Sequence, residues 1–125
     1  MERPVERIRR RAASVAAQVQ PYQEAWTQQN AEPLEAGEPL WIALGDSLSQ
    51  GIGASTWEDG WVPVAARELA RRGRRYRVVN FSRSGATTQD VLDRQLPLVA
   101  GLGHEPALVT LLIGSIPQTW TLSIN

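Results

Sequence analysis

Hydrophobic residues at helical spacing mark the first part of the chain. Between about residues 4 and 30 the sequence is rich in Ala, Gln, Glu and Arg, a composition that favours helix. The apolar positions recur every three or four residues: Val5, Ile8, Ala12, Val15, Ala16 and Val19. This pattern predicts one amphipathic helix, interrupted near Pro21 because proline lacks the backbone N–H that a helix interior uses.

The arginine-rich face of this helix has two interpretations. One is a contact with a membrane surface or a partner; the other, more common, is a solvated face on a helix that packs beside the domain. Residues 31–39 then contain two prolines, a glycine and three glutamates, which predicts a linker. We therefore divide the chain into a helical extension with its linker, residues 1–38, and a domain, residues 39–125.

From residue 40 onward, short apolar runs alternate with amphipathic segments. The apolar runs at residues 40–44, 76–81 and 107–113 predict three strands, the first of them buried on both faces. Residues 61–72 predict a helix, and the Thr-Thr-Gln-Asp sequence at residues 87–90 predicts the capped start of another. Strands that alternate with helices predict a βαβαβ unit with a parallel sheet.

Small polar or glycine residues follow each predicted strand. They are Gly-Asp-Ser at residues 45–47, Ser-Arg-Ser-Gly at residues 82–85 and Gly-Ser at residues 114–115. Because the carboxyl ends of parallel strands meet at one edge of a sheet, where sites in such folds lie, we expect these three segments to converge.

Composition and charge exclude several classes of function. The thirteen basic residues are all arginines and balance thirteen acidic ones, so no overall field favours nucleic acid or an anionic membrane as a partner. The absence of cysteine excludes disulfides and a cysteine nucleophile, and the absence of lysine excludes a P-loop and Schiff-base chemistry. The apolar runs are too short for a membrane span. No cofactor, no metal and no oligomeric state is indicated, and the lack of a clear signal sequence favours the cytoplasm.

Three sequence blocks carry a family resemblance. Gly-Asp-Ser-Leu-Ser at residues 45–49 resembles the nucleophile block of the GDSL, or SGNH, serine esterases and lipases. Asn-Phe-Ser-Arg-Ser-Gly-Ala-Thr-Thr at residues 80–88 resembles the second block, and residues 109–114 resemble the strand that leads into the third. The resemblance, which covers about residues 39–114, implies a three-layer α/β/α fold with a parallel, flavodoxin-like sheet. That fold is C-terminally incomplete here and preceded by an N-terminal helix.

The resemblance also implies the site residues. Ser47 would attack the carbonyl of a small-molecule ester, and the backbone N–H groups of Ser47 and Gly85 would stabilise the oxyanion. Asp46 would accept hydrogen bonds that brace the loop, rather than act as the triad acid. The alternative for Ser47 is a structural role as a helix N-cap.

The sequence departs from the family after the third strand. Ile116 and Pro117 stand where the family has asparagine and aspartate, and no Asp-x-x-His segment follows. The one histidine, His104, precedes the third strand, at the wrong end to serve Ser47 as a base. Residues 115–125 carry no charge. Our hypothesis is a truncated or frameshifted, inactive copy of a longer esterase; the alternative is a natural short variant.

Other functions compete with ester hydrolysis at Ser47. Gly51 and Gly53 after a strand suggest a nucleotide site, although the third glycine of that fingerprint is missing. Ser84 between strand and helix forms a degenerate nucleophile elbow. The competing hypothesis from another functional class is a non-catalytic remnant that binds acyl or glycan groups. Trp57 and Trp61 could line an acyl pocket, but packing in the core is the more common role of tryptophan.

Overall fold

The computed structural model describes residues 1–114. The helices are α1 (Pro4–Ala16), α2 (Val19–Asn30), α3 (Ser47–Gln50), a 3₁₀ turn (Trp57–Asp59), α4 (Trp61–Arg71), α5 (Thr88–Asp90), a π-helical segment (Val91–Gln95) and α6 (Leu96–Gly101). The strands are β1 (Leu40–Gly45), β2 (Arg77–Asn80) and β3 (Leu108–Leu112). All three predicted strands are confirmed within two residues at each end.

The three strands form one parallel sheet in the order β2-β1-β3. In the centre of the sheet, Ile42 lies beside Val79 on one side and beside Val109 on the other. Every residue of β1 is buried, so the prediction of a strand covered on both faces is confirmed. This arrangement places the carboxyl end of β1 between those of β2 and β3, at a single edge.

Side chains of β1 alternate between two cores. Ile42 and Leu44 pack with Val91 of the π-helical segment on one face. Trp41 and Ala43 join a second cluster on the opposite face, with Trp26 of α2 and Val62 of α4. Helices therefore cover both faces, and the α/β fold predicted for the domain is confirmed.

The N-terminal segment agrees with its prediction in one respect and differs in another. The helix is interrupted at residues 17–18, close to Pro21 as predicted, and Pro21 lies in the first turn of α2, where a backbone N–H has no partner in the helix. The two halves also differ in burial. α2 buries Tyr22 and Trp26, whereas the apolar side chains of α1 are exposed, Ile8 to 67%. The expected packing of the helix beside the domain is thus correct for α2 and wrong for α1.

The crossover between β2 and β3 is capped as predicted but is not one regular helix. The Thr87 side chain accepts from the Asp90 N–H at 3.2 Å, and the Asp90 carboxylate accepts from the Thr87 N–H at 2.9 Å, a capping box. After Asp90 the helix widens to π geometry before it continues as α6. The wider turn changes which side chains face the sheet.

The outer edge of β3 is open within the described residues. Val109, Leu111 and Leu112 are 49%, 57% and 40% exposed. A three-stranded sheet that ends on an apolar strand leaves such an edge uncovered. Among the helices of residues 1–114, none is long and apolar enough to cross a membrane.

Candidate active site

Residues 45–47, residues 82–85 and Gly114 converge at the carboxyl edge of the sheet, as predicted, while Ser115 lies outside the described residues. The Arg83 N–H donates to the Gly45 carbonyl at 3.1 Å and joins the second segment to the first. The Asp46 N–H donates to the Leu112 carbonyl at 3.3 Å, and the Gly114 N–H donates to the Asp46 carboxylate at 2.9 Å. Hydrogen bonds from backbone N–H groups, one of them to the Asp46 side chain, therefore hold together the blocks that carry the family resemblance.

Gly45 permits the close approach of β1 and β3 just before the candidate nucleophile. Its φ is +136°, a conformation that side-chain-bearing residues rarely adopt. A Cβ at this position would lie 1.9 Å from the Leu112 carbonyl oxygen. Glycine is thus required here both by conformation and by space.

Asp46, and not Ser47, is the N-cap of α3. The Asp46 side chain accepts from the Leu48 N–H at 3.0 Å, and Ser47 is the first residue of the helix. The structural alternative for Ser47, an N-cap, is therefore wrong. The loop-bracing role predicted for Asp46 is confirmed by its bonds to Leu48 and Gly114.

Ser47 is partly exposed at the start of α3. Within residues 1–114 its hydroxyl takes part in no hydrogen bond, and its backbone N–H donates to none. Both groups at the N-terminal end of α3 are thus available to a molecule that approaches the carboxyl edge.

Gly85 lies in a tight turn on the neighbouring loop. The turn is closed by the Ala86 N–H, which donates to the Arg83 carbonyl at 3.1 Å, and Gly85 adopts φ +79°. In the described part of the chain, the Gly85 N–H has no acceptor. Gln50 orients this loop, because its side chain accepts from the Ser84 N–H at 3.2 Å and donates to the Ser82 carbonyl at 3.1 Å.

Three buried amide side chains support these loops and were not predicted from the sequence. Gln50, Asn80 and Gln95 are each at most 1% exposed. The Asn80 side chain donates to the Ser49 carbonyl at 2.8 Å and accepts from the Ser82 N–H at 3.0 Å. Buried amides of this kind satisfy backbone groups that no strand or helix pairs.

Gln95 reaches Gly45 from the π-helical segment. Its Oε1 accepts from the Gly45 N–H at 2.9 Å, and its Nε2 donates to the Gly45 carbonyl at 2.8 Å. One sequence signal was available: Val91, Gln95 and Val99 are spaced four apart, so the glutamine occupies an apolar stripe of the helix. A polar residue on such a stripe indicates a buried hydrogen-bonding role.

A cavity of about 510 Å³ opens beside Gly85. It is lined by Phe81, Arg83, Ser84, Gly85, Ala86, Asp90, Arg94, Gln95 and Leu98. The Thr87 backbone and side chain donate to the Asp90 carboxylate, which lowers the pKa of Asp90; desolvation opposes this, and Arg94 adds a smaller lowering effect. Asp90 is thus held as a carboxylate on the wall of the cavity.

Trp57 and Trp61 do not line this cavity. Both pack against the α2 and α4 side of the core, where the Trp57 ring lies edge-on to Trp26 with centroids 5.0 Å apart. The packing role expected for these tryptophans is confirmed.

His104 lies at the opposite edge of the sheet. It borders a cavity of about 260 Å³ together with Leu40 and Arg77, the first residues of β1 and β2. Its Nδ1 is 2.9 Å from the Leu102 carbonyl oxygen. Ser47 follows the other end of β1, so the prediction that His104 lies at the opposite edge of the sheet from Ser47 is confirmed. Ile116, Pro117 and the rest of residues 115–125 lie outside the described residues.

Comparison with known proteins agrees with this geometry. The profile of the GDSL-like lipase/acylhydrolase family matches residues 43–115, more than half of the chain. Over 80 residues the chain is 39% identical to the esterase TesA of Pseudomonas aeruginosa. That match takes up 64% of this chain and 38% of TesA, so it spans well under half of the relative. No solved structure matches the chain. The chain belongs to the GDSL-like lipase/acylhydrolase family.

Proposed function

We propose that the protein is a serine ester hydrolase in which Ser47 is the nucleophile and the backbone N–H groups of Ser47 and Gly85 form the oxyanion hole. The observation that carries the proposal is the set of unengaged groups at the carboxyl edge. The Ser47 hydroxyl and both N–H groups are free of partners within residues 1–114, while the neighbouring N–H groups of Leu48, Ser84 and Ala86 are bonded.

The proposed reaction is acyl transfer. In a polypeptide that supplies a base, as the chimera described below would, the Ser47 hydroxyl oxygen adds to the ester carbonyl while its proton passes to that base. The two N–H groups donate to the oxyanion of the tetrahedral intermediate. The intermediate then expels the alcohol, which takes the proton from the base, and water, activated by the same base, releases the acid from the acyl-serine. The 510 Å³ cavity beside Gly85 is the proposed acyl or alcohol site.

The 125-residue polypeptide is proposed to lack turnover by itself. Its single histidine is at the amino edge of the sheet, and loss of the base in a serine triad costs on the order of 10⁶ in turnover. We therefore expect it to hydrolyse p-nitrophenyl acetate no faster than its Ser47→Ala variant. A Ser47-dependent rate well above that background would contradict this part of the proposal.

A chimera tests the nucleophile separately. The matched 80 residues would replace their counterpart in TesA, which supplies the remainder of an esterase. We expect ester hydrolysis by the chimera, its loss in Ser47→Ala and its retention in the matched control Ser84→Ala. Loss with Ser84→Ala and retention with Ser47→Ala would move the nucleophile to the elbow at Ser84.

Acyl binding without catalysis is the second candidate. It is supported by the apolar part of the cavity wall, Phe81, Ala86 and Leu98. Titration of the 125-residue polypeptide with short-chain fatty acids tests it: we expect saturable heat that Leu98→Asp abolishes. Absence of saturable heat in the unsubstituted chain would reject acyl binding.

A further inference from the structure

α1 presents an apolar stripe that no part of residues 1–114 buries. The stripe comprises Val5, Ile8, Ala12 and Val15, which the helical repeat places on one face. Val5 is 56% exposed, Ile8 67% and Val15 40%. An amphipathic helix normally buries such a stripe, so its exposure here points to an occupant outside the described chain.

Charge identifies the kind of occupant. Residues 1–16 hold five arginines and two glutamates, a net charge of +3, whereas the whole chain is neutral. In the helical repeat Arg9 and Arg11 lie on either side of the apolar stripe. Glu2 is paired with Arg10 at 2.9 Å, on the side away from the stripe. A basic rim around an apolar stripe complements anionic headgroups above a hydrocarbon interior.

We propose that α1 is an interfacial helix that binds the surface of an anionic lipid bilayer. Its apolar stripe enters the boundary between headgroups and acyl chains, and the flanking arginines contact lipid phosphates. A second copy of the chain is a poorer occupant, because two α1 stripes packed together would bring their arginine rims against each other.

α1 is attached to the rest of the chain at its C-terminal end. Gln18, at the junction of α1 and α2, donates to the Ala54 carbonyl at 3.0 Å and accepts from the Gly53 N–H at 2.8 Å. That loop follows α3, where the Ile52 N–H donates to the Ser47 carbonyl at 3.1 Å. The C-terminal end of α1 is therefore tied to the loop that continues from Ser47. The inference itself concerns binding and does not depend on the proposed hydrolysis.

Vesicle co-sedimentation of the 125-residue polypeptide tests the proposal. We expect partition at least about tenfold stronger onto phosphatidylcholine vesicles that contain roughly 30% phosphatidylglycerol than onto pure phosphatidylcholine vesicles. Added salt should weaken the binding, since the arginine contribution is screened. No excess sedimentation with the anionic vesicles would overturn the proposal.

Two matched double variants separate insertion from adsorption by charge. Ile8→Gln with Val15→Gln changes the apolar stripe, and Ala13→Gln with Ser14→Gln changes the other side of α1; neither alters charge or the buried core. We expect the first pair to lower partition at least about fivefold and the second less than about twofold.

Three results of these variants would overturn the inference. If both double variants partition equally onto the vesicles, the apolar stripe does not insert and the binding is unspecific charge attraction. Dimerisation that the stripe pair abolishes, without vesicle binding, would assign the stripe to a second copy. Capture by an acidic protein partner, again without vesicle binding, would assign it to that partner.

Equal thermal melting of both pairs and the parent shows that the variants are folded.

Discussion

The Asp46 carboxylate accepts a hydrogen bond of 2.9 Å from the backbone N–H of Gly114. The residue before Ser47 is thereby tied to the chain that leaves β3. The other carboxylate oxygen accepts from the Leu48 N–H at 3.0 Å and caps α3. One side chain thus fixes the start of the short helix relative to two strands, and the position of Ser47 depends on both contacts.

Removing the Asp46 carboxylate should destabilise the chain. We expect Asp46→Ala to lower the free energy of unfolding by about 2 kcal/mol, because it leaves two backbone donors without this acceptor. Asp46→Asn should also be destabilising, since an amide presents one acceptor and one donor to two N–H groups. Urea denaturation measures both. Asp59→Ala, at an exposed carboxylate, is the matched control, and an Asp46→Ala variant as stable as that control would contradict the brace.

Any side chain at residue 45 should be poorly tolerated. Gly45→Ala places a Cβ 1.9 Å from the Leu112 carbonyl oxygen and imposes φ +136° on alanine. We expect a loss of at least about 3 kcal/mol in unfolding free energy, enough to prevent a cooperative transition in a marginal domain. Gly53→Ala is the control, because its added Cβ meets nothing within 4 Å at a similarly positive φ. Equal stability of the two variants would show that β3 moves aside freely.

Gln95 should stabilise the chain through Gly45 alone rather than through its volume. Gln95→Met keeps much of the side-chain volume but removes the Gln95 acceptor of the Gly45 N–H and leaves the Gly45 carbonyl with one donor fewer. We expect a loss of about 1–3 kcal/mol in denaturant unfolding. Gln89→Met, on the exposed start of the same crossover, should change stability by less than about 0.5 kcal/mol. Similar values for the two would contradict the role of Gln95.

Features of this fold that depend on local sequence patterns could be predicted, whereas those that depend on tertiary contacts could not. β1 was predicted because a short run of apolar residues flanked by turns is typical of a strand buried on both faces, in the centre of a sheet. The convergence at Gly45 and Asp46 followed from the shared edge of parallel strands. Gln50, by contrast, lies in a short helix without apolar periodicity, and its partner carbonyl at Ser82 becomes known only from tertiary packing. The widening after Asp90 similarly depends on contacts with the sheet and not on local preference.

The capping box at Thr87 and Asp90 predicts a pH dependence. Hydrogen bonds from Thr87 lower the pKa of Asp90 in the folded chain below its unfolded value. The resulting stability is present above the unfolded pKa, about 4, and is lost as the pH falls through the folded pKa. We expect Asp90→Asn to melt below the parent at neutral pH and to approach it in acid. Asp93→Asn is the matched control on the same crossover; a gap for Asp90→Asn that is constant from neutral to acid pH would contradict the prediction.

The two N-terminal helices, α1 and α2, should differ in how much they stabilise the fold. The proposed division of the chain into an extension, residues 1–38, and a domain, residues 39–125, depends on this difference. Removal of residues 1–16 should leave the thermal melt within a few degrees of the parent, because α1 buries no side chain within residues 1–114. Trp26→Ala should instead cost about 3–5 kcal/mol, since it empties a core position where the indole also donates to the Gln50 carbonyl at 3.0 Å. Ile8→Ala, at an exposed position, is the matched control. A parent-like melt for Trp26→Ala would make α2 an accessory element like α1, whereas a large loss from removing residues 1–16 would show that α1 stabilises the domain.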